Sequence, residues 1–180
     1  MPPSYLALLR GINVGGKNKL PMKDLRELIT NLGCENVTTY IQSGNVVFQA
    51  EPMPEEELAG KIETRILERF GLKIPVILRT TDELQRTIIE NPFLSAASDE
   101  STLHVMFLKH APSLERIKSL DPERSPGDAF IVRGRAIFLH LPNNVANSKL
   151  TNAYFDSKLA TISTGRNWRT VETLRDMMQY

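Results

Sequence analysis

The stretch YLALLRGINVGGKNKLPM, residues 5–22, sets how the rest of the chain is read, because a short apolar run hands over directly to a Gly- and Asn-rich segment. Tyr5 to Arg10 fits a buried strand bounded by glycine. Gly11, Gly16 and Lys17 satisfy the G-x-x-x-x-G-K spacing of a phosphate-binding loop, but Asn18 stands where that loop needs Ser or Thr to hold magnesium. Pro21 suits a first helical turn, and Met22, Leu25, Leu28, Ile29 and Leu32 recur at helical spacing until Gly33. A helix starting there is several residues too late for its N-terminal amides to meet a phosphate in the loop. No later strand ends in the apolar-run-plus-Asp arrangement of a second magnesium ligand. An ATPase loop is therefore a poor fit. Two readings remain: a turn whose glycines permit positive φ, or a metal-free anion site in which Arg10, Lys17 and Lys19 crowd cations around exposed backbone N–H groups.

Working outward, Val37 to Gln42 and Val46 to Gln49 flank Ser43-Gly44-Asn45 and read as a hairpin. Pro54 and Glu55 to Glu57 open a helix with Leu58, Ile62, Ile66 and Phe70 on one face, closed by Gly71, and Ile74 to Arg79 follows as a strand. The first 80 residues thus run β-α-β-β-α-β, the split βαβ or ferredoxin-like order in which two helices cover one face of an antiparallel sheet. A linking helix, Thr81 to Glu90, and a loop, Asn91 to Glu100, come next. Leu103 to Leu108 reads as a strand and Ser113 to Leu120 as a short helix. Phe130 to Val132 and Ala136 to Leu141 form a hairpin turning at Arg133-Gly134. A helix with Leu150, Tyr154 and Leu159 follows, and a last helix carries Trp168, Val171, Leu174 and Met178. The second half thereby repeats β-α-β-β-α. The expected fold is α+β: two ferredoxin-like subdomains, 1–80 and 101–180, packed together around mostly antiparallel sheet and joined by 81–100.

Composition bounds the function. Lys plus Arg number 22 against 21 Asp plus Glu, so no whole-molecule field draws the chain to nucleic acid or an anionic membrane, and any basic site is local. The single Cys34 points to a reducing compartment. Met1-Pro-Pro-Ser lacks a basic segment followed by an apolar core, and no apolar run reaches membrane-spanning length, which makes the cytoplasm the expected address. His104, His110 and His140 show no metal-type spacing, so neither metal nor cofactor is expected. There is no G-x-S-x-G elbow, and Cys34 has no basic neighbour to lower its pKa. No reaction is legible.

Two further polar segments stand out. Gln42, Ser43 and Asn45 are either turn chemistry or a source of amide and hydroxyl groups beside the first loop. In a ferredoxin-like order the first and third strands are central, so the end of strand one and the hairpin tip lie close. In TGRNWRTV, residues 164–171, Asn167 suits a helix N-cap and Trp168 begins the apolar stripe. Arg166, just before that helix, fits an anionic ligand or an internal carboxylate equally well.

Three motifs, LLRGINVGGKNKLPM, TYIQSGNVVF and TGRNWRTV, occur in this order in a chain of 180 residues. Together they resemble the bacterial family known only as domain of unknown function 1697. The resemblance implies an α+β fold with ferredoxin-like parts. It carries the family pattern onto Arg10, Gly11, Asn13, Gly15, Gly16 and Lys17, onto Gln42, Ser43, Gly44 and Asn45, and onto Arg166, Asn167 and Trp168. It implies no activity. Arg169 stands where the family more often has a second Asn. The leading expectation is that these segments converge to bind a small phosphate- or carboxylate-bearing ligand, with Arg166 the partner to seek for Lys17. Nucleic-acid binding through an open sheet face ranks second, because Val46-Val47-Phe48 replaces the aromatic pattern of RNA-recognition modules. A protein-interaction or assembly module is the third class. No membrane association is expected, and the oligomeric state is not legible.

Overall fold

Six consecutive residues with little polar character make β1 (Ser4–Leu9), and five of the six are buried. A strand apolar on both faces belongs at the centre of a covered sheet. The computed structural model describes residues 1–179; Tyr180, the end of the second expected subdomain, lies outside them. The chain divides into two compact units, one of Met1–Gln85 with the stretch from Leu174 onward, the other of Arg86–Thr173.

In the first unit β1 is followed by α1 (Met22–Thr30), β2 (Glu35–Tyr40), β3 (Asn45–Gln49), α2 (Glu55–Phe70) and β4 (Val76–Thr80). The strands form an antiparallel sheet in the order β2-β3-β1-β4. Tyr5, Ala7 and Leu9 face the apolar stripes of α1 and α2, including Leu25, Ile29, Ile62 and Ile66, and Tyr5 stacks on Phe48 at 5.9 Å. The alternate residues Leu6, Leu8, Val47 and Ile77 are buried as well. Gly71 closes α2 in the left-handed conformation at φ 67°, donating its N–H to Leu67 O.

The second unit contains β5 (Leu103–Leu108), α4 (Leu114–Lys118), β6 (Ala129–Arg133), β7 (Ala136–His140), α5 (Asn152–Leu159) and β8 (Ser163–Asn167), in an antiparallel sheet ordered β6-β7-β5-β8. Ser113 caps α4 by accepting from Arg116 N–H, and Thr151 caps α5 by accepting from Tyr154 N–H. The β6–β7 turn is Gly134-Arg135, one residue later than the sequence suggests.

β8 corrects the sequence reading, in which 164–171 marks the start of the last helix, with Asn167 as its N-cap and Arg166 just before it, and no strand is expected there. Ser-Thr-Gly-Arg-Asn offers no apolar alternation, yet all five residues pair with β5 in unbroken register from Leu108↔Ser163 to His104↔Asn167. Pairing with a buried strand, not intrinsic propensity, makes this segment extended.

With β8 in place the repeat is complete. β4 runs directly into α3 (Thr81–Ile89), as β8 runs into α6 (Trp168–Met177). Arg79 pairs with Leu6 of β1, and Arg166 with Val105 of β5. Both arginines are buried, and each donates to the carbonyl of the residue before it: Leu78 O at 2.7 Å, Gly165 O at 2.8 Å. The next residue in each case accepts an N–H three positions on, Thr80 from Glu83 at 3.3 Å and Asn167 from Thr170 at 2.9 Å. Two stretches without legible sequence identity thus share a strand, a buried Arg and a capped helix start at the same register.

Candidate functional site

Residues 13–18 form a miniature hairpin. Gly15 and Gly16 have φ of 57° and 74°, the backbone of a two-residue turn that only glycine takes without strain, and Lys17 donates its N–H to Val14 O at 2.9 Å. Asn13 N–H donates to Asn18 O at 3.1 Å. A phosphate loop keeps such N–H groups for the ligand; here those of Asn13 and Lys17 close the hairpin. α1 begins only at Met22.

The two asparagines of this loop are its fasteners. Asn13, at φ 55°, donates from Nδ2 to Leu20 O at 2.9 Å and to Gln42 O at 2.8 Å, and its Oδ1 accepts from Leu20 N–H at 2.8 Å. Asn18, at φ 50°, donates to Gly11 O at 2.9 Å. Asn tolerates this left-handed region better than most residues. Asn13 thereby joins the Gly-rich segment to the hairpin carrying Gln42, Ser43 and Asn45.

That second hairpin is tied as firmly. Leu9 N–H donates to Gly44 O at 2.9 Å, and a Cβ on Gly44 would lie 2.7 Å from Leu9 Cβ and 2.8 Å from Ile12 Cδ1. Asn45 is fully buried and donates to Tyr40 O at 3.0 Å and Ser43 Oγ at 2.9 Å. Ile41 sits at φ 50°, a region a β-branched residue rarely occupies, and is 49% exposed; Val14, beside Asn13, is 64% exposed. Neither residue carried a sequence signal, since an apolar residue in a turn looks like the end of the neighbouring strand. Lys17, Lys19 and the side chain of Gln42 face solvent, while Arg10 is half-buried with its N–H on Pro75 O at 3.1 Å.

The first two predicted segments therefore adjoin in the first unit. Arg166, Asn167 and Trp168 belong to the second. Arg166 is not a loop residue beside open helix amides: its guanidinium is buried in β8 and donates to Thr164 Oγ1 at 2.7 Å and to Gly165 O. Burial pushes its pKa down to about 10, which leaves it cationic at neutral pH. Asn167 caps α6 as its residue type suggested, and Trp168 is core. Burial also raises the Cys34 thiol and lowers His104. Among the described residues no group of three or more His, Cys, Asp or Glu could hold a metal ion, and no helix is long and apolar enough to cross a membrane.

Two antiparallel four-stranded sheets, each crossed by helices, define an α+β protein whose sequence signature lies in the Gly-rich loop and the hairpin fastened to it. The chain belongs to the protein family of unknown function DUF1697, whose model matches residues 3–138. Its fold is similar to that of the conserved bacterial protein SP0830 from Streptococcus pneumoniae, at 24% identity and a TM-score of 0.78, over 99% of each chain. No curated protein matches the chain.

Proposed function

We propose that each unit is a ferredoxin-like module and that the loop face of the first binds a small phosphate- or carboxylate-bearing ligand through Lys17 and Lys19. The strand order, with the first and third strands of each unit at the centre, supports the first part. One observation carries the second. The Asn13 side chain fastens a loop bearing exposed Lys17 and Lys19 to the Gln42 turn, in a stretch of 23 residues that has Arg10, Lys17, Lys19 and Lys23 but no acid. A pre-ordered, locally cationic loop offers charge to an anion without first being immobilised. Val14 and Ile41, exposed on either side of the Asn13–Gln42 bond, supply apolar contact for the ligand's carbon skeleton. The nucleic-acid reading is less well supported, because β1, β3, β5 and β7 are buried along both faces and present no aromatic platform.

Thermal shift against inorganic phosphate, pyrophosphate, adenosine monophosphate and citrate tests this. At least one anion raises the melting temperature, by the equivalent of about 2.7 kcal/mol at a hundredfold excess over Kd. The effect disappears in Lys17→Ala and Lys19→Ala, both solvent-facing changes that leave the fold intact. If no anion stabilises the protein, or both variants respond as wild type does, the reading is wrong.

A further inference from the structure

We propose that the β6 edge of the second unit is a self-association surface, pairing antiparallel with β6 of a second copy about a two-fold axis at Ile131. β6 lies at the end of its sheet, next to β7 alone. Sheet edges are normally blunted by bulges, Pro or inward charge. The exposed edge of the other sheet is blunted in this way: β2 has a register shift between Glu35 and Thr38 and a left-handed Asn36. β6 has none of these. Ala-Phe-Ile-Val-Arg pairs with β7 in five unbroken steps, and its only charge is the terminal Arg133.

The hairpin fixes which groups the edge offers. A two-residue turn at Gly134-Arg135 makes Arg133↔Ala136 a hydrogen-bonded pair, and alternation makes Ile131↔Phe138 another. The amides of Phe130 and Val132 therefore point away from β7. A two-fold partner strand centred on Ile131 sets Phe130 opposite Val132 of the partner subunit, and Val132 opposite the partner's Phe130. Both are hydrogen-bonded pairs in that register. Ile131 then meets the partner's Ile131 in the close, non-hydrogen-bonded geometry in which side chains touch most.

Side chains and charge agree with that register. Ile131 is 37% exposed although β-branched and mid-strand. Arg133 donates to Glu90 O at 2.6 Å and Phe93 lies 6.0 Å from the His140 ring, so residues 90–93 cross the face of β6 and β7 that carries Ile131. Ile89, 82% exposed, and Leu94, 36% exposed, immediately precede and follow this crossing segment. Antiparallel pairing sets Arg133 of each strand opposite Ala129 of the other, so no like charges face each other along the paired strands. A second copy therefore matches this edge in backbone, apolar contact and charge at once.

Sedimentation velocity across a wide range of protein concentration tests the pairing. Wild type shifts from monomer towards twice the monomer mass as concentration rises. Val132→Pro removes an outward N–H along with a side chain that packs on the core of this unit, and Ile131→Lys, an exposed change, sets like charges against each other; both remain monomeric, with wild-type circular dichroism as the check that the fold is kept. Arg133→Ala on the same strand, whose backbone faces β7, retains the shift. A wild-type mass that stays monomeric throughout, or Val132→Pro and Ile131→Lys variants that dimerise as wild type does, overturns the proposal. Both outcomes are independent of anion binding at the first unit.

Discussion

Asn13 carries three hydrogen bonds with one amide side chain, and they hold together the chain's two most distinctive polar motifs. Removing it leaves Leu20 N–H and the Gln42 carbonyl without those partners, so Asn13→Ala costs about 1–3 kcal/mol of stability. Urea denaturation reads that loss. Gly44 is constrained differently: its φ of 85° and the 2.7 Å approach to Leu9 Cβ mean that Gly44→Ala destabilises by about 2–4 kcal/mol through steric conflict as well as backbone strain. Gly15→Ala meets no atom within 4 Å and suffers the conformational term alone, about 1–2 kcal/mol. A ranking with Gly15→Ala worse than Gly44→Ala contradicts the packing described for the hairpin. At this scale much was legible: Asn13, Gly44 and Asn45 were singled out in the sequence, and each has a defined role. That the role is fastening followed only from seeing their partners, which lie up to 29 residues away.

The elements were legible to different degrees, and β8 shows why. β1, β5 and β7 announce themselves by apolar runs because they are central and covered on both faces. β8 is polar and contains Gly165, and it is a strand only because β5 offers it backbone partners. Asn167 ends that strand and caps α6 in one residue, so Asn167→Ala removes about 1 kcal/mol while leaving the β5–β8 pairing in place. Thermal denaturation together with amide exchange at Val105 and Phe107 distinguishes the two effects: the global transition falls, and the relative protection of those strand amides is unchanged. Arg166 is the larger loss. Truncating a buried cation whose bonds hold Thr164 and Gly165 costs about 2–4 kcal/mol in Arg166→Ala. Arg79→Ala behaves alike, since Arg79 occupies the same register in β4.

Across the whole molecule, the half-buried His104 gives the stability a pH dependence. Desolvation lowers its folded-state pKa below the ordinary 6.5, opposed by a weaker hydrogen bond to the Thr102 backbone. The unfolded chain therefore takes up this proton first, and acid shifts the balance towards unfolding. The contribution is intact above 6.5 and is lost as pH falls below that value through the folded pKa. Between about pH 7.5 and about pH 5, a window spanning the ordinary His value, wild type loses more stability than His104→Leu. Equal losses in urea midpoints at the two pH values would remove His104 from the account.

The amino-acid sequence alone determined the α+β class, the order of the elements in the first unit, the family and two of the three motifs that adjoin. These are written in local signals: apolar period, Pro at helix starts, Gly at helix ends, Asn and Gly at turns. Tertiary structure decided what pairing partners decide: that Ser163–Asn167 is a strand, that Arg166 is buried in it, that the second unit completes the repeat of the first, and that β6 stands at an edge. A strand at the margin of a sheet takes its conformation from its neighbour's hydrogen bonds, so its own residues need not announce it.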